Sequence, residues 1–251
     1  MPTSWHLIID RVGHPGAENM AIDEGLLEEA DRVGAAFLRL YRWDTPCLSF
    51  GRNEPAAARY DRVAIERRGL AVVRRPTGGR AVWHEHEVTY AVAAPIAAFG
   101  SLHESYRAIH ARLAAALRTL GVDATQASDR PSARPPVRHG ACFASSVGGE
   151  VLVAGRKVIG SAQVRRGGAL LQHGSILLDG SQEIVNAVSR QPSATKSETT
   201  LREALGRPVG FEEVADAIVG AWGEEGTPTV PYRPLPSLSA RFSDPAWTWR
   251  R

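Results

Sequence analysis

EVLVAGRKVIGSAQVRRGGALLQHGSILLD, residues 150–179, is the stretch on which the fold turns. It reads as three short strands, 150–154, 157–166 and 169–179, joined by Gly155 and by the pair Gly167-Gly168. Glycines at this spacing make tight turns, and strands joined by tight turns run antiparallel, so the segment predicts an antiparallel meander. Strands in short antiparallel groups, in a chain that also carries clear helices, argue for an α+β (mixed α/β) domain and against a doubly wound one.

Upstream, WHLIID (5–10), FLRLYRW (37–43), CLSFG (47–51), AVVRR (71–75), AVWHE (81–85) and EVTYAVAAPI (87–96) have strand character. Residues 17–34 read as an amphipathic helix with Met20, Leu26, Leu27 and Ala30 on its apolar side, and a further helix is expected over 56–68. Ser101 and Glu104 form a capping box at the head of the clearest helix, 101–121. The segment 128–141 is rich in proline and arginine and predicts an exposed loop, mobile through to 149. Helices are expected at 181–190, 199–205 and 211–224, followed by a proline-dotted tail.

The 251 residues suffice for a core that needs no staples, and 43% hydrophobic with 23% charged residues is ordinary for a soluble globular protein. No apolar run reaches the ~18 residues of a membrane span, and MPTSWHLIIDRVG lacks the pattern of a signal peptide. A cytoplasmic location with no membrane partner is the expectation. The net charge is +3 and the pI about 9.1, with arginines paired at 67–68, 74–75, 165–166 and 250–251. Such pairs suit phosphate or an acidic protein. Nothing resembles a zinc finger or an aromatic RNA-binding signature, so no nucleic-acid partner is expected.

Thirty basic side chains include only two lysines, Lys157 and Lys196. Where a plain charge suffices this chain uses arginine, so Lys157, directly after Arg156, stands out as an amine. Gly78-Gly79 in RRPTGGR (74–80) would let backbone approach a ligand, yet the segment is neither a Walker loop nor a dinucleotide fingerprint. Cys142 lies beside His139 in an arginine-flanked polar loop, where a thiol is readily activated, whereas Cys47 in an apolar strand reads as core. His84 and His86 without a third ligand make no metal site, and none is expected. His173 either hydrogen-bonds backbone or lines a pocket, and reads first as structural. Ser161 sits within a strand and on no nucleophile elbow.

RRPTGGRAVWHEHEVTYAV (74–92), CFASSVGGEVLVAGRKVIGSAQVRR (142–166) and LLQHGSILLD (170–179), in this order, resemble the lipoate-protein ligase and octanoyltransferase superfamily, related in fold to the biotin ligases. NMAIDEGLL (19–27) and TTLREALGRPVGFEEVADAI (199–218) extend the likeness over nearly the whole chain. The GGR at 78–80, the Cys142-Phe143 pair and the GRK and GSAQ of 155–163 are most similar to the ligase-like octanoyl-acyl-carrier-protein:protein octanoyltransferases.

That resemblance implies one catalytic domain over 1–251, with a central mostly antiparallel sheet and flanking helices. It implies that Cys142 attacks the thioester of octanoyl-acyl carrier protein and holds an acyl-enzyme. A lysine of a lipoyl domain, on the glycine-cleavage H protein or an E2 subunit, then takes the octanoyl group as an amide. Lys157 matches the family's pocket lysine, a catalytic residue that contacts the acyl carbonyl or helps manage the incoming amine's proton. Arg75, Gly78, Gly79, Arg80 and His84 are carried over to the substrate pocket, as are Gly160, Ser161 and Gln163. Val82, Val158 and Ile159 are implied as its apolar wall. Arg165 and Arg166, on the strand leaving the pocket, are the candidates for docking the acidic carrier. No cofactor is needed, because the acyl group arrives activated, and a monomer is expected. The rival is an ATP-dependent lipoate-protein ligase with Cys142 a bystander. In that type an additional small C-terminal domain is common, and only a helix pair and tail are expected beyond the core here. A third reading is a non-catalytic acyl- or lipoyl-domain-binding relative.

Overall fold

The computed structural model describes residues 5–127, 149–192, 198–223, 226–228 and 232–250. The chain opens with β1 (Trp5–His14), α1 (Gly16–Val33), β2 (Ala36–Trp43) and β3 (Cys47–Phe50). Two short helices, α2 (Ala56–Arg59) and α3 (Arg62–Arg67), lead to β4 (Ala71–Arg74), β5 (Val82–His84) and β6 (Glu87–Pro95). After α4 (Leu102–Thr119) come β7 (Ala124–Gln126), β8 (Val151–Val153), β9 (Arg156–Lys157), β10 (Ile159–Arg166) and β11 (Ala169–Leu177). The remainder is α5 (Glu183–Ala187), α6 (Leu201–Leu205), α7 (Phe211–Trp222), β12 (Gly226–Pro228), α8 (Pro236–Ser243) and α9 (Pro245–Thr248).

Six strands build the central sheet in the order β10-β11-β6-β2-β1-β12. The run from β10 to β2 is antiparallel, whereas β1 lies parallel to both β2 and β12. Alternation along β2 sorts side chains to the two faces. Leu38 and Leu40 join Ile109 and Leu113 of α4 and Val214 and Ile218 of α7, while Phe37 and Tyr41 meet Ile22, Leu26 and Leu27 of α1. Arg39 shares the α1 face and is fully buried. Its guanidinium reaches Asp10 Oδ2 at 2.7 Å, Asp23 Oδ1 at 2.9 Å and Asn19 Oδ1 at 2.7 Å, which pins α1 to the sheet. Two smaller sheets flank this body, β4-β3-β5 and β7-β8-β9.

The mixed sheet with flanking helices agrees with the expected class, and Ser101 caps α4 by accepting from the Glu104 amide at 3.1 Å. Other expectations need correction. The stretch 157–166 is two strands, β9 and β10, which belong to different sheets, so 150–179 is not one meander. The break falls at Val158, whose amide donates to Val151 and whose carbonyl accepts from Leu177. The helix expected over 56–68 is split because Asp61 caps α3, its Oδ1 accepting from the Ala64 amide, with Tyr60 extended before it. Only Glu183–Ala187 of 181–190 is helical. The tail contains α8 and α9, which bury Leu238, Phe242 and Thr248. The loop 128–141, and with it Cys142, lies outside the described residues.

Candidate active site

Where the small β4-β3-β5 sheet meets the central sheet, a pocket opens. Its wall takes Met20 from α1, Tyr41 and Trp43 from β2, Ser49 from β3, Arg75 from the following loop, and Val82 and His84 from β5. Thr89 of β6, Gly160, Ser161 and Ala162 of β10, and His173, Gly174 and Ser175 of β11 complete it. A largely apolar wall with a few aimed polar groups is the usual make-up of a ligand pocket.

Three histidine-centred rows of hydrogen bonds frame this space. His84 Nε2 lies 2.7 Å from Ser49 Oγ and its Nδ1 lies 2.8 Å from Glu87 Oε1, while its ring stacks on Trp43 at 4.0 Å. Ser49 lies inside a strand and is fully buried, unlike the exposed turn on which nucleophilic serines sit. His173 Nδ1 is 2.8 Å from Asp23 Oδ2, and its Nε2 is 2.6 Å from Thr77 Oγ1. Burial pulls His173 down from its ordinary value, against the pull of the Asp23 carboxylate, so the neutral ring takes the Thr77 hydroxyl proton. His110 Nδ1 is 2.9 Å from the Gly149 carbonyl and its Nε2 is 2.8 Å from Ser161 Oγ.

The glycine loop at 76–80 is shaped from within by Arg75. Its guanidinium donates to the Gly78 carbonyl at 2.8 Å, the Arg80 carbonyl at 2.6 Å and the Ser49 hydroxyl at 3.0 Å. Gly51 has no room for a side chain, because a Cβ there would come within 1.9 Å of the Gly79 carbonyl oxygen. Lys157 is not among the residues that line the cavity; it is 3% exposed and its Nζ donates to Glu150 Oε1 at 2.5 Å. Gly149 and Glu150 pair with Ala127 through Gly149 N to Ala127 O (2.9 Å) and Ala127 N to Glu150 O (2.7 Å), closing the base of the segment that carries Cys142.

Of the residues assigned to the pocket from sequence, Arg75, Val82, His84, Gly160 and Ser161 line the cavity. Gly78 and Arg80 offer their carbonyls to Arg75, and Gly79 packs over Gly51. Val158 and Ile159 face the main core with Val151 and Ile176, because Val158 stands at the crossing between two sheets. Gln163 turns toward α4, donating to Gln172 Oε1 at 2.8 Å and Ser105 Oγ at 3.1 Å. Arg166 pairs with Glu24 and Glu28 of α1, whereas Arg165 is exposed beside the Gly167 carbonyl. His86 is exposed and apart from the His84 row, and among the described residues no group of three or more His, Cys, Asp or Glu could hold a metal. Cys47 is buried, and burial pushes its thiol well up.

Sequence reasoning missed Ser49, Trp43, Thr89, His110, Glu150 and Glu87, and read His173 first as structural although it lines the cavity. The available signal was a polar residue inside an apolar strand, as in CLSF, since such residues are buried only when partnered.

Comparison with known proteins follows the same outline. Residues 15–223 match the lipoyl protein ligase A/B catalytic domain. Octanoyltransferase LipM of Symbiobacterium thermophilum is 40% identical over 237 residues, 88% of this chain and 86% of its own. The LipM octanoyltransferase of Kyrpidia tusciae is 38% identical over 273 residues, 99% of each chain. Among solved structures, a lipoate-protein ligase A bound with ATP superposes with a TM-score of 0.78 at 21% identity, over 99% of both chains. A bipartite lipoate protein ligase from Thermoplasma acidophilum gives 0.75 at 20%, over 99% of this chain and 96% of its own. At such identities these structures establish likeness of fold.

Proposed function

The chain belongs to the lipoyl protein ligase A/B catalytic-domain family, and from that premise we infer that it is an octanoyltransferase of protein lipoylation. The observation that carries this reading is the near full-length identity to octanoyltransferases of 38–40%. In this reading the whole chain acts as one catalytic domain and as a monomer. The site of action in this reading is the cytoplasm. No described helix is long and apolar enough to cross a membrane.

The reaction runs in two steps. The Cys142 thiolate attacks the thioester of octanoyl-acyl carrier protein, the carbon–sulfur bond to the carrier breaks, and the octanoyl group rests on Cys142. Its chain occupies the cavity between Tyr41, Trp43, Val82 and His173. A lysine amine of a lipoyl domain, on the glycine-cleavage H protein or an E2 subunit, then displaces the cysteine sulfur and leaves as the amide. Lys157 meets the acyl carbonyl as a compact charged donor, held in place by Glu150. Exchange between thioesters is nearly balanced and aminolysis of a thioester is downhill, so the cycle consumes no ATP. The burial of Cys47, which keeps it a thiol, supports Cys142 as the nucleophile.

The test is intact-mass spectrometry after mixing the protein with octanoyl-acyl carrier protein without ATP. One octanoyl adduct, cleaved by hydroxylamine and absent from Cys142→Ala, is the expected result. Absence of an adduct, with lipoyl-domain modification only when lipoate, ATP and magnesium are supplied, would instead identify an ATP-dependent ligase.

A further inference from the structure

Ser161 is a cavity residue whose hydrogen-bonding direction is dictated by its neighbours. Gln163 Nε2 donates to Gln172 Oε1 at 2.8 Å, which leaves Gln172 Nε2 to donate to the Tyr90 hydroxyl oxygen, also at 2.8 Å. Burial pushes the Tyr90 phenol well up, so it keeps its proton and passes the bond on to Ser161 Oγ at 2.7 Å. On the far side, His110 Nδ1 faces the Gly149 carbonyl, which can only accept, so this nitrogen bears the hydrogen. Burial lowers His110 to about 3, which keeps the ring neutral and leaves Nε2 a lone pair. The Ser161 proton, 2.8 Å away, is the one directed at it, the Tyr90 oxygen being farther at 3.4 Å.

A hydroxyl has one proton and two lone pairs. The Ser161 proton goes to His110 and one lone pair goes to Tyr90. What Ser161 can offer the cavity is therefore its second lone pair, an acceptor. An octanoyl chain has no hydrogen to give it, and an acyl carbonyl oxygen would be repelled by it. The group that fits is an N–H donor.

On the octanoyltransferase reading, we propose that Ser161 Oγ receives the incoming lysine amine of the acceptor protein, and that His110 is the positioning residue that turns its lone pair toward the cavity. The lysine enters as the neutral amine, having left its ammonium proton in solvent. Its nitrogen attacks the thioester carbon, the new N–C bond forms, and the C–S bond breaks with its electron pair on sulfur. The N–H proton held against Ser161 ends on that sulfur, so Ser161 finishes with the proton it began with. The relay closes on Gly149, at the base of the Cys142 segment, which ties the orientation of the amine acceptor to the chain that bears the thioester.

Single-turnover mass spectrometry separates the two steps: growth of the octanoyl adduct from octanoyl-acyl carrier protein, and its decay on adding a lipoyl domain. For Ser161→Ala and His110→Leu the decay should slow about 30-fold, the worth of one hydrogen bond to a reacting group, while adduct growth changes less than about threefold. His110→Gln, whose amide can donate to Gly149 and accept from Ser161, should restore decay to within about threefold of wild type. Hydroxylamine, a small nucleophile, should discharge all four acyl-enzymes alike. Equal slowing of growth and decay in Ser161→Ala, or undiminished decay, would overturn the proposal. A wild-type protein that forms no adduct would overturn the Cys142 route and this proposal with it.

Discussion

At position 157 lysine and arginine part company. Its Nζ meets Glu150 where both side chains are almost free of solvent, at 4% and 1% exposure, and a compact ammonium fits there better than a planar guanidinium. A buried pair of this kind adds little net stability, because each charge has lost its hydration. In the proposed function, what the pair supplies is a charged donor for the acyl carbonyl. The histidines carry a different consequence, one of pH. His110 sits at about 3 when folded, through burial, and near 6.5 when unfolded. Below pH 6.5 the unfolded chain takes up the proton first, so the stability linked to His110 is complete above that pH and is lost as pH falls. His173, also lowered by burial, acts in the same direction. Between pH 7.5 and pH 5 the protein should lose about 2 kcal/mol through His110, and His110→Gln should lack that part of the decline. Urea unfolding at the two pH values measures it, and identical declines in wild type and variant would refute it.

Elements were legible where their signals are local. The Ser101 cap of α4 and the apolar stripe of α1 are written in neighbouring residues, and both elements formed as expected. The hairpin between β8 and β9 was legible in Gly155, and it has a two-residue turn in which Ala154 and Gly155 both take positive φ, 49° and 72°. Alanine is strained there, and asparagine before glycine is the preferred pair. Ala154→Asn should raise stability by about 0.5–1 kcal/mol, seen as a melting temperature higher by about 1–4 °C. A lower melting temperature would refute the turn assignment. By contrast, nothing local announces that β9 and β10 part at Val158. KVIGSAQVRR keeps strand character throughout, and the change of sheet is imposed by Val151 and Leu177 on either side. Likewise Asn19, Asp23 and Glu24 look like the wet face of α1 but are buried, because Arg39, His173, Arg166 and Arg241 come to meet them.

In the molecule as a whole, Arg74 joins the C-terminal tail to the loop that follows β3. It is fully buried, and its guanidinium donates to six carbonyls, those of Gly51, Arg52 and Glu54 on one side and Trp247, Thr248 and Arg250 on the other. The proline-dotted tail thereby becomes a brace behind the glycine loop. Arg74→Lys can serve three of those carbonyls at most. It should cost about 3 kcal/mol, lower the melting temperature by about 6–12 °C and slow octanoyl-adduct formation. An unchanged melting temperature would show that the brace is dispensable. Taken alone, the order of residues determined the fold class, most strands and helices, the family and the candidate pair of Cys142 and Lys157. Turns, caps and periodicity act between near neighbours, and motifs keep their spacing along the chain. Only the tertiary structure decided which polar groups meet at the cavity. Asp23 and His173 are 150 positions apart, and Arg74 and Trp247 are 173 apart. Their pairing depends on burial and hydrogen-bond direction, which exist only once the sheets have packed.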